Sequence, residues 1–258
     1  MKERIDSISH SFYNKNNNRI HTIGGFSMTL EQLEEQIPKL KNYTKNMPAD
    51  IRSRCIVRKH PAGTLIHQKD MELDYFGIVA IGSDRVVNEF ENGNVYMIES
   101  NESIDFIGEV TILAKMPRTS VTIEAVEECL VAYISRKDAE YWLSIDHNIL
   151  SLVAEKVAYK LYRSSYHNGL KLFYPPSYLL LDYLVKYANF YSINQTSTIT
   201  IAKTRQMLQE EIGVNVKTLN RTITQLKEDG FFTLCKGKIT FNYSQYQKAL
   251  EYLESEKS

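Results

Sequence analysis

The stretch FIGEVTILAKMPRTSV, Phe106 to Val121, sets a Gly-Glu pair one short helix ahead of a Pro-Arg-Thr triplet. Those residue types could hold a small anion. Gly108 permits a tight turn into a helix, whose first amides attract negative charge. Glu109 can accept from a hydroxyl. Arg118 can make charge-assisted, paired contacts to a phosphate, and Thr119 can add a hydroxyl. The same residues admit a plainer reading, in which Arg118 pairs with Glu109 inside the domain and no ligand is needed.

A second constellation lies near the C-terminus, in KTRQMLQEEIGVNVKTLNRTITQLKEDGFF. Lys203 to Glu211 reads as a helix with Met207 and Leu208 inward. Gly213 supplies a left-handed turn, and Asn215 caps a second helix from Val216 to Asp229. Leu219, Ile223 and Leu226 fall on one face of that helix, and Lys217, Asn220, Arg221 and Thr224 on the other. Gly230 ends it, and FTLCKGKITF alternates about Lys236-Gly237 as a hairpin. Two helices, a glycine-bearing turn and a following hairpin spell a winged helix-turn-helix. Its outward face suits double-stranded DNA: Arg221 can pair with guanine in the major groove. Thr204, Gln206 and Asn215 suit phosphates, and Arg205, Val216, Lys217, Thr218 and Asn220 complete the candidate surface. The plain alternative is a helical hairpin with a solvated charged face.

The elements that must position these groups follow from period. Residues 1–27 are polar and Asn-rich and read as a flexible N-terminal extension. MTLEQLEEQIPKLKNY reads as one short amphipathic helix capped by Thr29, with Leu30, Leu33 and Ile37 on one side. From Cys55 the rhythm turns to period two, in six to eight short strands broken by turns such as His60 to Gly63 and Asn92-Gly93. At Arg136 the pattern becomes helical for about thirty residues, with one break near Asp146. Leu150, Val153, Val157, Leu161 and Ser164 recur at spacings of three and four, a seam for one partner helix and hence for a homodimer. Pro175 and Pro176 stop that helix. The fold class expected is α+β: an all-β sandwich or barrel (28–135), which the resemblance described below implies is a β-roll, a dimerisation helix (136–173) and a winged helix-turn-helix domain (174–258).

Composition narrows the classes. The 31 basic and 31 acidic residues cancel. Yet Cys55 to Ser135 holds 6 Lys/Arg against 13 Asp/Glu, whereas Thr200 to Thr240 holds 7 against 4. The acidic block and the basic block suit different work, the basic one suiting nucleic acid. The three cysteines are far apart, which argues for a reducing compartment and against a cysteine-built metal site. No apolar run approaches the ~18 residues of a membrane helix, and the N-terminus lacks a signal-peptide pattern; a cytoplasmic protein is expected. A β-barrel metalloenzyme of the cupin type would need clustered histidines, and His-x-His, Gly-x-Ser-x-Gly, the Walker loop and His-Glu-x-x-His are all absent. No catalytic residue and no bound metal are therefore expected.

With these residues in view the chain resembles the Crp/Fnr family of bacterial transcription regulators over roughly Cys55 to Phe241. HPAGTLIHQKD is similar to that family's first strand pair, FIGEVTILAKMPRTSV to its phosphate-binding cassette, and TRQMLQEEIGVNVKTLNRTITQLKEDGF to its helix-turn-helix signature. FIGEVTIL and EAVEEC resemble the YeiL-like branch. The resemblance implies a jelly-roll sensor domain, a dimer on operator DNA and contact with RNA polymerase. It implies an effector site at Gly108, Glu109, Arg118 and Thr119, with Ser164 and Ser165 on the long helix, for a cyclic nucleotide or another small anion. Two departures stand out. Lys69 and the SIDFIGE turn lack glycines usual in the family, and Val216-Lys217 replace an Arg-Glu pair in the reading helix of its type member. A cyclic-nucleotide-binding module without DNA is the competing reading.

Overall fold

A computed structural model describes residues 27–256. The expected flexible extension lies outside these residues, save for its last position. The first helical segment is broken rather than continuous: α1 (Leu30–Gln36), a 3-10 turn (Pro38–Leu40), α2 (Lys41–Thr44) and α3 (Ala49–Arg54). Pro38 is the cause, since it cannot donate to the preceding turn. Thr29 caps α1 in a box with Gln32. Leu30 and Leu33 are buried. Glu34 is buried among partners, accepting from the Thr44 hydroxyl and from Arg52 at 2.9 Å.

Eight strands follow: β1 (Ile56–His60), β2 (Leu65–His67), β3 (Tyr75–Ile81), β4 (Ser83–Glu89), β5 (Val95–Glu102), β6 (Asp105–Ile107), β7 (Thr122–Ala125) and β8 (Cys129–Ser135). They form two four-stranded antiparallel sheets, ordered β1-β8-β3-β6 and β2-β7-β4-β5. The expected hairpin at Asn92-Gly93 joins β4 to β5, with Gly93 at φ +78. Gly82, between β3 and β4, has φ +93, and a Cβ there would lie 2.4 Å from the Glu128 carbonyl oxygen. Between β6 and β7 sits α4 (Glu109–Leu113). The inner faces of the sheets share one core with Trp142, Ile149 and Val153 from the helices that follow.

Those helices are α5 (Arg136–Ile145) and α6 (His147–Phe173), parted at Asp146 where the sequence pattern breaks. Asp146 caps α6 by accepting from the Asn148 amide at 2.9 Å. It also accepts from Asn46 Nδ2 at 3.1 Å and from the buried Trp142 indole at 3.0 Å. Of the expected dimer seam on α6, Val153 is buried, Leu150, Val157 and Ser164 are half-buried and Leu161 is exposed. Ile149 and Val153 belong to the β-domain core, with Leu150 packed against it. An exposed stripe runs along Ser151, Ala154, Ala158, Leu161 and Ser165, sharing Leu161 with that seam. The seam mixed two faces because apolar residues occur on both.

The C-terminal unit has its own core. It comprises α7 (Pro176–Phe190), β9 (Thr198–Thr200), α8 (Arg205–Ile212), α9 (Val216–Glu228), β10 (Thr233–Cys235), β11 (Lys238–Asn242) and α10 (Tyr243–Ser255). The hairpin β10-β11 is completed by β9 into a three-stranded sheet.

Burial pushes the Asp146 carboxyl up in pKa, but its donors outweigh this and hold it below the ordinary aspartate value. Asp146→Ala removes a cap and strands a buried indole N–H, so a loss of about 2–4 kcal/mol is expected in urea unfolding at pH 7. A carboxylate with depressed pKa stabilises above its unfolded value and loses that contribution as pH falls. The deficit should therefore shrink below pH of about 4. A deficit that is constant with pH would contradict this.

Candidate functional site

Two sites were expected, and the structure treats them differently. In the helix-turn-helix, Thr204 caps α8 by accepting from the Met207 amide at 3.1 Å, and Asn215 caps α9 by accepting from the Thr218 amide at 2.9 Å. Both residues are exposed and keep donor capacity in the threonine hydroxyl and the asparagine NH₂. Gly213 has φ +76 between the helices. Leu219, Ile223 and Leu226 are buried, while Val216, Lys217, Asn220, Arg221 and Thr224 are exposed and Thr218 is half-buried. Met207, expected inward, is 40% exposed, because the α8 face toward the core is set by Leu208 and Ile212.

Other cations of this unit are already engaged. Arg205 donates to the Gly237 carbonyl at 3.2 Å, tying α8 to the hairpin, and burial lowers its pKa. Lys203 lies 2.6 Å from Glu211, and Lys238 donates to Ala202 O at 2.8 Å. Gln206 donates to Glu210 at 3.1 Å. Lys236 and Gly237 both have positive φ, a two-residue turn that carries Lys236 at its tip.

The β-domain pocket departs from expectation. Gly108 does open α4, with φ +87, and a Cβ there would sit 2.8 Å from Leu73 Cδ2. Leu73 thus accounts for the glycine without a ligand. Arg118 does not pair with Glu109. Its side chain is 63% exposed, 3.9 Å from Glu72. Thr119 is buried, with its hydroxyl turned to the Val121 backbone. Ser164 is half-buried and lines a cavity of about 240 Å³ between β5, α6, α7 and α8, and Ser165 is exposed. Of the six expected effector residues, Gly108, Glu109 and Thr119 line one small cavity together, Ser164 lines another, and Arg118 and Ser165 line neither.

What occupies the pocket is Lys160 of α6. Its ammonium lies 2.8 Å from Glu109 Oε1, 3.1 Å from Asp105 Oδ2 and 3.7 Å from Glu99 Oε1. Asp84 of β4 lines the same pocket. Burial would lower the Lys160 pKa, but Glu109, Asp105 and Glu99 outweigh it and hold the ammonium well above its usual value. Burial raises the Glu109 carboxyl, opposed by Lys160. Burial raises Asp84 to about 7, opposed by its Asn101 hydrogen bond. Burial also lowers the His67 imidazole, which the Met71 carbonyl and Asp74 partly oppose. The cavity left beside them is about 60 Å³.

Sequence reading missed Lys160, Asp84, Glu99 and Asp105. A signal existed: Ile149, Val153, Lys156 and Lys160 share the inward face of α6, setting two lysines against the acidic strand block. Beside the pocket, β4 turns Arg85 outward. It contacts Glu124 at 2.9 Å and Glu210 of α8 at 2.9 Å, joining the two units. Lys171 lies 3.7 Å from the Tyr96 ring centroid, and burial lowers its pKa to about 8. Among the described residues no three His, Cys, Asp or Glu side chains group to hold a metal, and no helix is long and apolar enough to cross a membrane.

Comparison with known proteins places residues 57–146 in the cyclic nucleotide-binding domain family. The chain is 25% identical over 183 residues to the cAMP-activated global transcriptional regulator CRP of Salmonella typhimurium, covering 70% of this chain and 87% of that one. It is 21% identical to the HTH-type transcriptional regulator ArcR of Staphylococcus epidermidis, over 77% of this chain and 88% of that one. Among solved structures, the c-di-GMP responsive global regulator CLP of Xanthomonas campestris superposes with TM-score 0.66 at 15% identity, covering 74% of this chain and 95% of that one. A Crp/Fnr-family transcriptional regulator from Eubacterium rectale gives 0.63 at 16% identity, covering 83% and 94%. The relatives are regulators, and a cupin-type enzyme finds no support among them.

Lys160→Met would leave three carboxylates facing one another without their cation. A loss of about 3–5 kcal/mol is expected at pH 7.5, the cost of breaking a buried pair from one side. Without the lysine, the folded-state carboxyl pKa values rise above their unfolded values. Such groups lose stability as pH rises through the folded value, so the deficit should narrow from pH 8 to pH 5. Urea midpoints at both values check this. A deficit that widens toward pH 5 would contradict it.

Proposed function

We propose that this chain, which belongs to the Crp/Fnr family of transcription regulators, acts as a homodimer on a two-fold symmetric DNA operator. The observation that carries this is α9. It presents Lys217, Asn220, Arg221 and Thr224 together on one exposed face, behind a helix and turn that are both capped. A helix of this kind fits the major groove, with its N-terminal side chains at base edges. Arg221 reads a guanine. Thr204, Gln206 and Asn215 donate to phosphates and set register. Arg205 braces the hairpin, whose Lys236 tip reaches the backbone. RNA polymerase is the expected protein partner of the DNA-bound dimer.

The dimer forms along α6. Ser151, Ala154, Ala158, Leu161 and Ser165 repeat at three-four spacing on its exposed side, with Leu161 67% and Tyr162 76% exposed. Small residues let two helices approach closely, and Leu161 and Tyr162 supply apolar area. Two copies would place their α9 helices about one DNA turn apart, roughly 34 Å.

The sensor role belongs to the β-domain, but its residues do not fit a cyclic nucleotide. The arginine that would grip phosphate points to solvent, the glutamate that would take a hydroxyl is bonded to Lys160, and three carboxylates, those of Asp84, Glu99 and Glu109, line the space. An anionic phosphate would meet a field of its own sign. The protein is therefore a regulator whose DNA binding does not call for cyclic AMP or cyclic GMP.

Fluorescence anisotropy on the DNA upstream of its own gene, at fixed salt, tests this reading. Specific binding is expected without nucleotide and unchanged by either one. Arg221→Ala should weaken it by about 1–3 kcal/mol and relax preference at one base. Unchanged affinity and preference would remove Arg221 from the interface. Leu161→Asp, which adds a charge to the α6 stripe, should yield a monomer in sedimentation and reduce operator affinity at least tenfold. A stable dimer in that variant would place the interface elsewhere.

A further inference from the structure

The β-domain pocket carries more acceptors than donors. Glu99, Asp105 and Glu109 surround the single ammonium of Lys160, Asp84 lines the same cavity, and Lys156 lies 3.9 Å from Asp105 Oδ1 at the margin. Asp84 is 2% exposed, and one of its oxygens accepts from Asn101 Nδ2 at 3.2 Å. Its other oxygen, Oδ2, has no hydrogen-bond partner among the protein groups, although the side chain lines the cavity. His67 lines it too, with Nδ1 held 2.8 Å from the Tyr75 hydroxyl and Nε2 unpartnered. A buried, unpaired carboxylate oxygen is costly, and the cost is removed by a donor. A phosphate brings only acceptors.

We propose that this pocket binds a small primary ammonium group, from ammonium itself or a short amine, as the second cation of the Lys160 cluster. Charge, shape and chemistry agree. Lys160 already shows how this functional group is received, with carboxylate oxygens at 2.8 and 3.1 Å. The cavity of about 60 Å³ is the scale of a few atoms, an order below the 300–1,000 Å³ of drug-sized ligands. A bare metal ion is disfavoured, since no three ligating side chains group for one among the described residues. The inference deepens the regulator reading by naming the effector class of its sensor domain.

The position of the site gives it a route to the DNA-binding unit. Asp84 and Arg85 are neighbours on β4 and point to opposite faces. Asp84 faces the cavity, and Arg85 holds Glu210 of α8. An ammonium drawn to Asp84 acts one residue from the contact that fastens the helix-turn-helix to the β-domain. Glu99, on the paired strand β5, links the same pocket to Lys160.

The test is thermal unfolding of the full chain at pH 7.5 and constant ionic strength, with ammonium, methylammonium or tetramethylammonium chloride, and separately with cyclic AMP and cyclic GMP. Ammonium and methylammonium should raise the midpoint by about 3 °C or more at saturation, and tetramethylammonium, which has no N–H, should not. Asp84→Asn should abolish the rise. Independently of any variant, ¹⁵N-ammonium mixed with the wild-type protein should give a proton signal protected from exchange. Equal effects of all three salts, or none together with no protected signal, overturn the proposal while leaving the regulator reading in place. A midpoint that follows pH through about 7, is flat in Asp84→Asn and ignores amines overturns it in favour of a proton on Asp84. Stabilisation by either nucleotide overturns both this proposal and the nucleotide-independent reading.

Discussion

The contact on which the rest depends is the burial of one lysine ammonium among carboxylates. Lys160 sits 2.8 Å from Glu109 and 3.1 Å from Asp105, with a side chain only 12% exposed. These groups come from four elements: Lys160 from α6, Glu109 from α4, Asp105 from β6 and Glu99 from β5. A buried ion cluster is stable only if each charge finds its partner. The long helix is thereby fixed in register on the sheet, and the rotation of α6 that results decides which residues look outward. The exposed Ala154–Ala158–Leu161 stripe is the other side of the same helix that turns Lys160 in.

A strand with period two carries the second link. On β4, Asp84 and Val86 face inward while Arg85 faces out, as extended backbone requires. Arg85 is then opposite Glu124 across the β4–β7 ladder and within 2.9 Å of Glu210. One strand thus touches both the pocket and the DNA-binding unit. Lys171, over the Tyr96 ring and beside the Gly213 turn, makes a parallel connection from the end of α6. These contacts join two separate apolar cores. Such a joint can shift without disturbing either core.

Much of the architecture was legible in order along the chain. The hairpin at Asn92-Gly93, the break at Asp146, the turn at Gly213, the cap at Asn215 and the inward trio Leu219, Ile223 and Leu226 all rest on local rules of turns, caps and period. The winged unit was readable because its helices are short and amphipathic, and each end carries its own stop signal. The errors fell where local rules compete. Pro38 cut a helix that its apolar spacing would have continued. Met207 turned out because Leu208 and Ile212 claimed the inner face. The α6 seam mixed two faces, since Val153 and Leu161 are both apolar while one is buried and the other exposed.

The change from strand-rich to helical segments, and the residues that line α9, could be read along the chain, because these follow from hydrophobic period and capping within a few residues. The sequence could also have paired an acidic strand block with the lysines of α6, though only as opposite charges. That Arg118 leaves the cavity which Gly108, Glu109 and Thr119 line could be seen only once the chain had folded. Arg118 turns to solvent while Glu109 is taken by a lysine 51 positions away. That choice depends on which charges meet in low dielectric once the helix lies on the sheet. Coulomb attraction there falls with distance through space and takes no account of distance along the chain.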